Sequence, residues 1–200
     1  MVKLYSIAVL NKTGSNPIIL KSCSDLSSFG YFQKKSVGEF MHFTAKMIVE
    51  RSERGSRASI KEQEYLCHAY VRADNLSAVI ISDRDYPNRV AHTLLSKILD
   101  DFSAAYSPQV WSSATEESLK FDALHVYLNK YQNPQEADAM TRLQRDLDET
   151  KIILHETISS LLQRGEKLDD LVAKSEDLSA QSKVFFKTAR KTNQCCQYYP

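Results

Sequence analysis

Leu161-Leu-Gln-Arg-Gly-Glu-Lys-Leu-Asp-Asp-Leu-Val172 sits in the middle of a stretch, Gln135 to Lys191, that has no proline and a single glycine, Gly165. Alternating steps of three and four from Met140 to Thr192 pass through Leu147, Leu154, Leu161, Arg164, Leu168, Leu171, Leu178 and Phe185. Spacing of this kind, held over so many turns, is a heptad seam and specifies a coiled coil rather than one face of a surface helix. At about 1.5 Å per residue the continuous helix would be a rod roughly 80 Å long. A lone helix cannot bury such a stripe, so the seam requires partner helices.

Arg164 stands where the pattern asks for an apolar residue, between Leu161 and Leu168. A guanidinium has five donors, no acceptor and a permanent charge, and it is costly to bury without acceptors. In a parallel homo-oligomer these arginines would face each other as like charges. A hetero-oligomer whose other helices offer acceptors, such as glutamine amides, avoids that and fixes register at the same time. The residue types alone leave a second solution open, an arginine that snorkels to solvent.

The same segment resembles the central layer of the arginine (R-) SNAREs, the synaptobrevin-like proteins. Gln144-Arg-Asp-Leu-Asp-Glu-Thr-Lys151 and Ser179-Ala-Gln-Ser-Lys-Val-Phe-Phe186 fit the same motif. The resemblance implies a four-helix bundle in which Arg164 meets glutamines from three glutamine-SNARE helices and zippering draws two membranes together. The alternative is a longin adaptor or tether that uses its coiled coil only to dimerise. Mixing the seam with glutamine-SNARE helices separates the two.

Upstream of the seam, apolar and β-branched runs predict strands at Val2–Leu10 and Ile18–Cys23, a short one at Ser59–Glu62, and two more at Glu64–Arg72 and Leu76–Ser82. Helical spacing predicts Val37–Arg54, ended by Gly55, then Asn88–Tyr106 with Asn88 as N-cap, and Glu117–Lys130. Ser107-Pro108 is read as a stop, and Trp111 to Thr115 as a polar loop. Adjacent strands interrupted by helices give an α+β fold on an antiparallel sheet. The pattern is similar to the profilin-like longin domain, which implies five antiparallel strands and three helices ahead of a long SNARE helix. Phe40-Met-His-Phe-Thr44 and Asp83-Arg-Asp-Tyr-Pro-Asn-Arg-Val90 look like the lipid-anchored branch of those proteins. The expected divisions are a longin domain over 1–131, a linker over 132–139, the R-SNARE motif over 140–192 and a cysteine tail over 193–200.

Composition sets further bounds. The formal charge is +1, from 26 basic and 25 acidic residues, and gives no basic footprint for nucleic acid. No signal peptide and no run of transmembrane length is apparent. No glycine-rich phosphate loop or metal-ligand spacing is present among His42, His68, His92, His125 and His155, so no catalytic residue, metal or cofactor is expected. Cys67 and His68 are neighbours on a strand and should face opposite ways, which makes Cys67 a core residue. Arg51, Arg54 and Arg57 read as a solvated loop, with contact to acidic lipid as the other reading.

The chain ends Cys195-Cys-Gln-Tyr-Tyr-Pro200. The resemblance implies a lipidated cysteine pair, palmitate on the first and a prenyl group on the second. A prenylation box needs cysteine fourth from the end, where Gln197 stands, so the match is to the cysteines and not to the box. Thioacylation of Cys195 or Cys196 requires only an accessible thiol near a membrane, and the nearby lysines add attraction to anionic lipid. The resemblance also implies cycling between the cytosol and the cytosolic face of Golgi, endoplasmic reticulum, endosomal or vacuolar membranes.

A chain with an apolar stripe and a lipid must hide both when alone. On the helix from Glu39 to Arg51, Phe40, Met41, Thr44, Met47 and Ile48 share the face expected to pack on the sheet, and Phe43 lies at its edge. An edge phenylalanine can be simply a core residue; the other reading, which the closure known in the resembled family favours, is that Phe43 floors a groove that seam residues between Met140 and Phe185 cover in a closed monomer.

Overall fold

The computed structural model describes residues 3–14, 16–135 and 151–196. The first part of the chain forms β1 (Leu4–Asn11), β2 (Ile18–Ser24), α1 (Lys34–Arg51), β3 (Ser56–Glu62), β4 (Tyr65–Val71), β5 (Leu76–Asp83), α2 (Asn88–Ala105), α3 (Pro108–Ser113) and α4 (Ala123–Lys130). The last part forms β6 (Ile152–His155), a 3-10 turn (Ile158–Leu161), α5 (Leu168–Lys174) and α6 (Ala180–Cys196). Among the described residues the strands make one sheet in the order β2-β1-β5-β4-β3-β6. All pairings are antiparallel except that of β3 with β6, which is parallel.

Strand alternation sorts the core onto two faces. Leu4, Ile7, Val9, Leu76, Ala78 and Ile80 pack under α2, α3 and α4 with Leu94, Ile98, Phe102 and Trp111. Ala8, Leu10, Ala58, Ile60, Cys67, Val79 and Ile81 face α1 with Met41, Met47 and Ile48. Cys67 is thus a core residue, and burial pushes its thiol up to about 12. His68 points to the other face, where Ser59 bridges it to His92 of α2 at 3.0 and 2.9 Å. Burial lowers His68 to about 3 and His92 to about 4.

Four differences from the sequence reading have physical causes. The expected sheet of five strands has a sixth, β6, contributed by the seam region. Pro108 begins a helix instead of ending one, because proline suits the first helical position, and Trp111 of that helix is buried. The helix expected from Glu117 starts at Ala123, and Glu117 itself has a positive φ of 54°. Pro87, and not Asn88, is the N-cap of α2.

The largest departure concerns the rod. In place of one continuous helix, residues 151–196 are broken into four elements, a strand, a 3-10 turn and two helices, that lie along β3 and α1. The reason is the one that made the rod improbable alone. Without partner helices the stripe has nothing to bury against except the domain that precedes it. Gly165, with φ of 90°, supplies a positive-φ backbone in the turn between the 3-10 segment and α5, a conformation costly for residues with a Cβ. Among the described residues no helix is long and apolar enough to cross a membrane.

Candidate functional site: the seam folded onto the domain

The seam residues are distributed unevenly over this contact. Leu168 and Leu178 are buried in the core that α1 shares with the sheet, together with Ile158 and Val172, which lie off the seam. Leu161 and Leu171 are partly buried against the same core. Phe185 is half-buried and lines an apolar cavity of about 300 Å³ with Phe29, Val37, Phe40, Met41 and Phe186. Leu154 lies on β6 and is 63% exposed. Leu147, together with the start of the seam at Met140, lies outside the described residues, as do the side chains of Cys195 and Cys196 at the end of α6.

Phe43 is 8% exposed. Its ring lies 5.8 Å from that of Phe40, which stacks on Phe186 of α6 at 4.9 Å. On its other side Phe43 lines a cleft with Met47 and with Leu171 of α5. The helix edge where Phe43 was placed from sequence is therefore where the folded-back seam crosses α1.

Polar fastenings, not foreseen from the sequence, flank this apolar contact. Arg51 grips Glu166 with two bonds, at 2.7 and 3.2 Å. Glu166 also accepts the Gln163 N–H at 2.8 Å, and that bond, together with Arg51, outweighs the opposing effect of burial and holds its carboxyl below the usual range. Lys46 pairs with Asp177 at 3.0 Å and with Glu116 at 2.8 Å. Burial would lower its ammonium, but these two carboxylates outweigh that and raise it. Glu62 accepts the Ile158 N–H at 3.1 Å. Of the basic cluster, Arg51 is thus a fastener. Arg57 is buried with its guanidinium 3.6 Å from the Tyr70 ring centre.

Glu39 makes the most specific of these bonds. Ser179 precedes α6, and its hydroxyl accepts the Ser182 N–H at 3.3 Å, as an N-cap does. In a capping box, an acid three residues on would return to the cap N–H. Here Ser182 occupies that position, and the carboxylate comes from α1. Glu39 accepts the Ser179 N–H at 2.9 Å and the Ser182 hydroxyl at 2.7 Å. Burial tends to raise the Glu39 carboxyl, but the bonds from Ser179 and Ser182 outweigh it and keep it low. The signal available in sequence was Glu39 beside Phe43 on the same helix edge.

Arg164 is exposed, in the turn between the 3-10 segment and α5. Nothing in the folded-back arrangement uses it as a seam residue.

An α+β domain that covers a C-terminal heptad seam with its own first helix and sheet edge defines a longin-bearing SNARE. The longin family profile, a regulated-SNARE-like domain, matches residues 26–128, and the synaptobrevin profile matches residues 139–198. The chain is similar to the synaptobrevin homologue YKT6 of Eremothecium gossypii, 49% identical over 197 residues covering 98% of both chains. It is similar to the protein of the same name in Saccharomyces cerevisiae at 47% over 197 residues, again 98% of both chains. The Schizosaccharomyces pombe homologue is 48% identical over 195 residues, with the same coverage of both. The chain belongs to this family of longin-type synaptobrevin homologues, R-SNAREs of vesicle fusion. SNAREs are a non-enzymatic class.

Proposed function

We propose that this chain gives its seam to a bundle with three glutamine-SNARE helices, that Arg164 occupies the central layer, and that the folded-back state is its inactive reserve. The observation that carries the reading is a double use of the same residues. Leu161, Leu168, Leu171, Leu178 and Phe185 belong to the heptad stripe and also contact the longin core or its cavity. They cannot serve both surfaces at once, so assembly and closure exclude each other. Arg164 is left exposed in the closed chain, where a buried guanidinium would lack acceptors, and finds acceptors only in the bundle.

Anchoring belongs to the same proposal. Helix α6 runs to Cys196, and lipid on Cys195, Cys196 or both would tether the bundle to a membrane. One lipid chain holds only marginally, so two signals are needed for stable attachment. The apolar cavity beside Phe185 and Phe186 offers cover for such a chain in the closed state, and the protein would cycle between cytosol and Golgi, endoplasmic reticulum, endosomal or vacuolar membranes.

The test is assembly by Arg164→Leu. The substitution should leave the closed chain unchanged, since the side chain is exposed there. It should still permit helical association but remove the preference for glutamine-bearing partners. Unchanged partner choice and unchanged fusion in the variant would refute the central-layer assignment.

A further inference from the structure

The connection from β2 to α1 carries two aromatic residues in full solvent. Tyr31 is 83% exposed and Phe32 is 85% exposed, and their rings pack edge to face at 5.5 Å. The turn that presents them is fixed, not loose. The Ser27 N–H binds Asp25 at 2.9 Å, the Phe29 N–H binds the Leu26 carbonyl at 3.1 Å, and the Gln33 N–H binds the Gly30 carbonyl at 2.8 Å. Phe29, in the same connection, turns inward onto Tyr5 at 5.7 Å. Two adjacent aromatics held outward on a rigid tip, next to one that packs, are arranged for contact with something outside the chain.

The surroundings are basic. Lys34 and Lys35 follow after Gln33 and are exposed. The acids closest in sequence are already engaged: Asp25 with Lys3 at 3.3 Å, and Glu39 with Lys35 at 3.9 Å as well as with the start of α6. Helix α6 brings more of the same character. Asp177 meets Lys46, Ser182 meets Glu39, and Phe186 meets Phe40, so α6 runs antiparallel to α1. Its C-terminal end, with Cys195 and Cys196, therefore travels toward the end of α1 that carries Lys34 and the aromatic tip. Its outer face shows Val184 and Lys187.

We infer that the Tyr31-Phe32 turn is a membrane-insertion tip that seats this end of the closed molecule on an anionic phospholipid bilayer. Tyrosine and phenylalanine rings beside lysines match the interface of such a bilayer, with the rings among headgroups and the ammonium groups at phosphate. Area argues against a protein in this place. Two aromatic side chains offer about 300–500 Å², and a stable protein interface takes about 800 Å² from each partner. The inference rests on the proposed work at a membrane only for the placement of the tail cysteines.

The test uses the full chain with unmodified cysteines and sedimentation with phosphatidylcholine vesicles, with and without phosphatidylserine. The wild type should bind weakly and only when phosphatidylserine is present. The double substitution Tyr31→Ser, Phe32→Ser should lower the partition by about tenfold or more, with an unchanged thermal unfolding midpoint. In a separate Tyr31→Trp variant, indole emission should move to shorter wavelength on vesicle addition, while the native indole at Trp111 stays in its core. Absence of wild-type binding, equal binding by the double variant, or an emission that does not move would each overturn the inference. So would a tip required for protein capture with vesicle binding intact. Assembly with glutamine-SNARE helices should be unaffected by the double variant, so a failure of that assembly bears on the proposed function alone.

Discussion

Residues 3–131 and residues 151–196 bury apolar surface in opposite ways. The longin part owns both sides of its interfaces: each strand face finds a helix, and the register of every strand pair is set by alternation within the chain. The seam part owns only one side. It takes a strand, a 3-10 turn and two helices from a sequence whose period is that of one helix, because the surface on offer is a sheet edge and the flank of α1. Its structure is dictated by its cover. Its fastenings are accordingly local and polar, from Glu39, Lys46, Arg51 and Glu62, around a modest apolar contact.

Acid should break the self-contained half first. His68 and His92 are held neutral, at about 3 and about 4, against an ordinary value of 6.5. A base depressed in the folded state takes its proton first in the unfolded chain. Stability is therefore intact above pH 6.5 and falls as the pH drops toward 4, by an amount on the order of a few kcal/mol. Glu39 and Glu166, with lowered carboxyls, keep their contribution above the ordinary carboxylate value and lose it only at lower pH. Urea midpoints measured across this range should decline well before the carboxylates titrate; a flat profile from pH 7 to about 4 would remove the buried imidazoles from the account.

Phe43→Glu attacks the boundary between the halves. A carboxylate facing Met47 and Leu171 costs several kcal/mol unless the seam leaves. The expected outcome is an unprotected seam over a domain whose circular dichroism is retained. Loss of the domain signal as well would place Phe43 in the domain's own core and not at its boundary with the seam.

Gly165→Ala should sharpen the comparison by acting on both states of the seam. No atom lies within 4 Å of an added Cβ, so the penalty is backbone alone. At φ of 90° it is about 1–2 kcal/mol against closure, whereas in a continuous helix the same change gains roughly 0.5–1 kcal/mol. The variant should open more readily and assemble faster with partner helices, and assembly rates equal to wild type would show that the break at Gly165 is not a barrier.

Glu39→Ala is expected to give the smallest effect. It removes the carboxylate from the start of α6, at about 1 kcal/mol, and should loosen α6 while α5 keeps its protection. Uniform loosening of both helices would mean that the seam detaches as one unit.

The longin half was legible because its signals are local. Strand alternation, the Ala73-Asp-Asn75 turn with Asn75 at φ of 73°, and the apolar face of α2 all act within a few residues. The short helix at Trp111 was hidden because Pro108 after Ser107 reads as a stop when it is in fact a start. Strand β6 was hidden for a different reason. Ile152-Ile-Leu-His155 is β-prone, but it lies in the heptad frame, and the frame describes the assembled seam rather than the folded-back one. Phe43 at a helix edge was readable; Glu39 as a cap in trans was not, because its partners are about 140 residues away.

The central claim is that the seam has one apolar stripe and two alternative covers. Backbone hydrogen exchange across residues 151–196 tests it directly, in the full chain, in a seam peptide alone, and in the full chain with three glutamine-SNARE helices. The account predicts protection at α5 and the first turns of α6 in the full chain, none in the isolated peptide, and continuous protection through Arg164 and Gly165 in the mixture. A seam unprotected in the full chain, or a full chain whose α5 protection and domain contacts persist unchanged inside the assembled mixture, would contradict it.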